Sequence, residues 1–247
     1  MSREVRPAFG PFVEAVPLLV RQETLEVAAI LAVLPMALSA TRELLRLDSA
    51  GELDLPGGIP ISLFEVARAF GDCLLWVASV LLLLPVACGE RGLRPRVLFE
   101  HFGALALAAS VYFGASVSVG VATFLLSENA LVVLVWFGST ILQTWLAAWA
   151  AWFLWSARRK RDGLRGGRPG LLVWPGAAAG FLPGLLAFQM GSLLGMHPWA
   201  GRLPLPRDLL LQAMCLFLSH LLFLFAAFWM VRALESEAVM QPVSDTA

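Results

Sequence analysis

The residue types able to do chemistry are few and badly placed for it. The chain has three histidines, His101, His197 and His220, and three cysteines, Cys73, Cys88 and Cys215. No carboxylate or thiolate stands at ligand spacing from His220, so neither a metal nor a haem site is spelled out. The cysteines lie in or beside apolar runs, where buried free thiols are the expected state. No G-x-S-x-G, H-E-x-x-H, P-loop or G-x-G-x-x-G occurs. No catalytic residue, metal ligand or cofactor is therefore expected, and the chain reads as a non-enzyme.

What remains is a set of polar and small residues inside long apolar runs. His220 lies near the middle of the run 209–231 and Gln143 near the middle of 130–157, while Gln189 and Gln212 sit nearer run ends. A polar group inside a membrane marks function by default. For His220 the structural reading is a neutral ring bonded to a neighbouring helix, and the functional one a proton relay. Gly176, Gly180 and Gly184 recur every four residues, and Ser110, Gly114, Ser118 and Ala122 repeat the device. Such stripes let helices approach closely. They predict helix packing, or a moving contact or conduit between the third and fifth apolar runs, with Pro175 and Pro183 able to kink the latter. Trp145, Trp149, Trp152 and Trp155 form an aromatic belt at helical spacing. A six-span rhomboid-like protease is excluded, because 137–140 reads Phe-Gly-Ser-Thr and lacks G-x-S-G.

The elements that carry these residues follow from composition. Of 247 residues 59% are hydrophobic and 15% charged, and mean hydropathy is +0.77. A soluble domain carries about 25% charged residues, and a globule of this size could not hide so much apolar surface. In lipid the backbone must satisfy itself, and long unbroken runs select helices over a barrel. The expected class is all-α, a polytopic membrane protein with about six transmembrane helices at 25–40, 73–89, 102–126, 130–157, 171–196 and 209–231. Residues 1–24 form a cytoplasmic or interfacial segment, 25–231 the membrane domain and 232–247 a short, polar tail.

Basic residues set the orientation. Thirteen fall on the side of both termini and five on the other, which predicts both termini in the cytoplasm. The first apolar run starts near Val27 after a segment with more Glu than Arg, so no cleaved signal peptide is expected. Residues 8–20 read as a short amphipathic piece at the membrane surface, kept short by Pro11 and Pro17. In 62–72, Ser62 is a candidate N-cap with Glu65, Arg68 and Asp72 along one helix face. Residues 48–60 read as an outer loop and 127–129 as a tight turn. The inner loop 158–170, with Arg158, Arg159, Lys160 and Arg161, is the segment best suited to anionic lipid or a partner. Zero net charge gives no reason to expect nucleic acid.

An interfacial piece, a span, an outer loop and a second span ending in Gly89-Glu90-Arg91 come in a suggestive order. This resembles the six-helix permease subunits of type-two ABC exporters, which commonly carry G-E-R after the second span. The resemblance implies a transport subunit of a bacterial inner membrane, working as a homo- or hetero-oligomer with a separate cytoplasmic ATPase. It also implies that Glu90 and Arg91 open the segment that contacts that ATPase. Loops 90–100 and 158–168 would receive its motion. The ten residues between Arg91 and Phe102 are short for a separate helix and its return. The competing expectation is a non-catalytic assembly or scaffolding subunit, which needs no polar pathway.

Overall fold

The computed structural model describes residues 10–45, 52–55, 59–90, 92–125, 131–164, 173–196 and 206–240. The described residues are helical apart from one short hairpin and a few turn residues. In order come α1 (Gly10–Leu19), α2 (Gln22–Leu45), β1 (Glu52–Leu55), β2 (Ile59–Ser62), α3 (Leu63–Ala87), α4 (Arg96–Glu100), α5 (Phe102–Leu125), α6 (Leu131–Arg161), α7 (Val173–Met196) and α8 (Pro206–Met240). The strands pair antiparallel, Glu52 opposite Ser62 and Leu55 opposite Ile59, within a segment the sequence reads as a loop. Ser62 precedes α3 directly, and α3 runs unbroken through 63–72 into the second apolar run.

Each apolar run lies on a helix, and most helices outrun it. The first run was expected to stop at Thr41 and Arg42, yet α2 continues to Leu45. The fourth extends through the basic quartet to Arg161, and α8 continues to Met240 through the stretch read as tail. Charge ends an apolar run but not a helix, because Arg, Lys and Glu are good helix formers. Among the described residues two stretches are long and apolar enough to cross a membrane: Val66–Ala87, with mean hydropathy 2.1, and Leu210–Glu237, with mean hydropathy 2.2.

Packing is centred on α8, which touches α1, α2, α3, α6 and α7. The core joins Val77, Leu81 and Leu84 of α3, Ala147 and Leu154 of α6, Phe181 of α7, and Leu224 and Met230 of α8. Small polar residues are buried with them: Thr24, Ser79, Thr144, Ser219 and His220. Large apolar ones point outward, among them Ile30, Val33, Leu107, Ile141, Leu210 and Met214. Large apolar side chains thus lie both in the core and on exposed helix faces. The short α1 packs along α8, with Ala15 and Leu18 buried and Phe12 edge-on to Phe225 at 5.0 Å, while Val13, Val16 and Val20 stay exposed.

Candidate functional site

The charged residues gather where α3, α6 and α8 end. Helix α3 stops in a Schellman turn. Gly89 takes φ +91, its amide donates to the Val86 carbonyl at 3.1 Å, and the Glu90 amide donates to the Pro85 carbonyl at 2.8 Å. Only glycine adopts that φ without strain. The turn aims Glu90 at α6, where Arg158 donates to its carboxylate. Arg94 pairs with the same carboxylate at 3.1 Å, and Arg21, in the α1–α2 turn, donates to the Glu90 carbonyl at 3.4 Å. Helix α6 ends by the same device, with Gly163 at φ +73 and the Leu164 amide on the Arg159 carbonyl at 2.8 Å.

One position on from Arg158, Arg159 turns to α8. It donates to Glu235 at 2.9 Å and lies over the Trp155 ring at 5.1 Å. The Trp155 indole donates to the other oxygen of Glu235 at 2.7 Å, and the Cys88 thiol reaches that oxygen at 3.8 Å. One carboxylate thus ties α6 to α8, with the Cys88 thiol only a weak further donor. Arg158 and Arg159 are only 15% and 18% exposed, so these pairs are less screened than surface ones.

The ten residues after Arg91, too few by sequence for a helix and return, contain α4, a helix of one turn and a half. Val97 is buried beneath it, while Phe99 is 81% exposed. A single non-helical residue, His101, separates α4 from α5; its amide donates to the Val97 carbonyl at 3.0 Å, and its carbonyl accepts from Leu105 at 2.9 Å. Arg161 donates to the Glu100 carbonyl at 2.6 Å and lies 3.8 Å from its carboxylate. Burial, and then the Arg161 guanidinium, hold the His101 imidazole below its ordinary pKa.

The residues singled out by sequence fall into four places. Glu90, Arg158 and Arg159 face inward as braces, whereas Lys160 and Arg161 are exposed on the same turn; Arg91 lies outside the described residues. Gly176, Gly180 and Gly184 face α8: a Cβ on Gly176 would lie 2.6 Å from Trp229, and one on Gly184 would lie 3.1 Å from backbone atoms of both Phe223 and Ser219. Ser219 also donates to the Gly184 carbonyl at 2.8 Å. The expected meeting of this stripe with the third run gives way to α8, whose Trp229, Ala226 and Phe223 fill the groove. Ser110, Gly114 and Ser118 lie on an exposed face of α5. His220 is buried beside the Leu31 backbone of α2, Gln143 is half-buried, and the Gln189 carbonyl oxygen is buried with no hydrogen-bond partner among the described residues.

Sequence reasoning did not single out Glu235, and it reached Arg94, Phe99 and Glu100 only as members of loop 90–100. Among the described residues no group of three His, Cys, Asp or Glu could hold a metal ion. The ion pairs at this end of the bundle fix α3, α6 and α8 against one another and leave α4 as a small exposed surface. Comparison with protein-family models, curated proteins and solved structures finds no match.

Proposed function

We propose that the chain is a six-span membrane transport subunit of an ABC-type exporter, driven by a separate cytoplasmic ATPase. The observation that carries this reading is α4. It is an exposed turn of helix at the charged end of the bundle, tipped by Phe99 and tied to α6 on both flanks. An exposed aromatic on a braced element suits protein docking, because an anchor that is already rigid loses little entropy on binding. Glu90 in this reading orients α4 and leaves the contact itself to Phe99 and its neighbours. Six helices of 24 residues or more reach about 36 Å each, enough for a hydrocarbon core of about 30 Å, and their outward Leu, Ile and Val suit lipid. The basic turn Arg158–Arg161 beside α4 favours the cytoplasmic side for this end of the bundle by the charge rule.

Gentle purification from the native membrane tests the reading. The chain should retain an ATPase, and Phe99→Ala should lower the amount retained about tenfold or more, as loss of an interface anchor does. A chain that purifies alone and supports no ATP-dependent flux with any ATPase encoded beside it overturns the exporter reading.

A further inference from the structure

We infer that the last turns of α6 form a two-armed joint in which Arg158 and Arg161 position α4 while Arg159 and Trp155 position α8. Helix geometry separates the arms. Consecutive residues diverge by about 100°, so Arg158 and Arg159 leave α6 in different directions. Arg158 and Arg161 are three apart and hold Glu90, ahead of α4, and Glu100, its last residue. Trp155 and Arg159 are four apart and both close on Glu235 of α8. The covalent path from α4 leads through His101 into α5, but the ion pairs lead elsewhere. A push on α4 is carried to α6, from α6 to α8, and from α8 to the glycine face of α7. The exporter reading supplies what pushes α4; the joint itself requires no ATPase.

Hydrogen–deuterium exchange on the full chain in nanodiscs tests the joint. Arg158→Met should speed exchange about tenfold in 89–101, the effect of one lost charge-assisted hydrogen bond, and leave 233–240 unchanged. Arg158→Lys, which keeps the charge, should stay near native. Glu235→Gln should loosen 233–240 and leave 89–101 protected. If either variant loosens both segments together, or Arg158→Met loosens neither, the joint is overturned. With an ATPase bound, Glu235→Gln should leave its retention unchanged and reduce substrate-stimulated ATP hydrolysis about tenfold; unaltered stimulation also overturns the joint. The expected exchange pattern in a chain that holds no ATPase supports the joint and overturns the exporter reading instead.

Discussion

Glycines 114 and 184 have the same residue type and opposite surroundings. Around Gly114 of α5 an added Cβ meets nothing within 4 Å, whereas at Gly184 it presses on the α8 backbone at 3.1 Å. Gly114→Ala should raise stability by about 0.5–1 kcal/mol, since Ala narrows the unfolded ensemble. Gly184→Ala should lower it by about 1–3 kcal/mol, because main-chain atoms cannot swing aside. Thermal midpoints in one detergent read both, and equal shifts would refute the assignment of the stripe to α8. Spacing alone could not choose that partner. Two runs carry similar small residues, and only the bulk of Trp229 and Phe223 shows which surface fills the groove. Glu235 was illegible for a related reason. It lies 76 residues from Arg159, and no local pattern announces such a pair.

At the level of elements, α4 is where physical detail outran the sequence. Ten residues appear too few for a helix and return only if a loop must lead back into the next span. Here α4 passes into α5 with one intervening residue, and nothing is spent on a turn. His101 is that residue, and its burial gives a pH signature. The folded state resists the proton that the unfolded chain accepts near its ordinary value of about 6.5. Its contribution is therefore complete above that value and is lost as pH falls through it toward the depressed folded value. Arg161 and Arg158 reinforce this direction, while Glu100 and Asp162 oppose it. Thermal midpoints at pH 7 and pH 5 should differ more in the native chain than in His101→Gln. Identical differences would show that the imidazole titrates freely.

For the whole molecule, the apolar runs were the legible part. About 20 consecutive apolar residues admit few alternatives to a long helix, and each run lies on one. Helix ends were less legible, since α6 and α8 carry their charged residues onward as helix. The proposed topology makes a direct claim about sidedness. A C-terminal tag should escape a membrane-impermeant label on intact cells and react after permeabilisation, while a cysteine placed in 56–58, between the two strands, should react on intact cells. The reverse pattern would invert the scheme.

The two glycine turns that close α3 and α6 have a quieter effect. At each, amides of the backbone itself close onto the last carbonyls, so no neighbouring side chain has to turn back and cap its own helix. The Arg158 guanidinium is left to reach Glu90 beyond the end of α3 instead of the last carbonyls of its own helix. Cross-bracing among distant parts of the chain is thus a by-product of two positions that have no side chain at all.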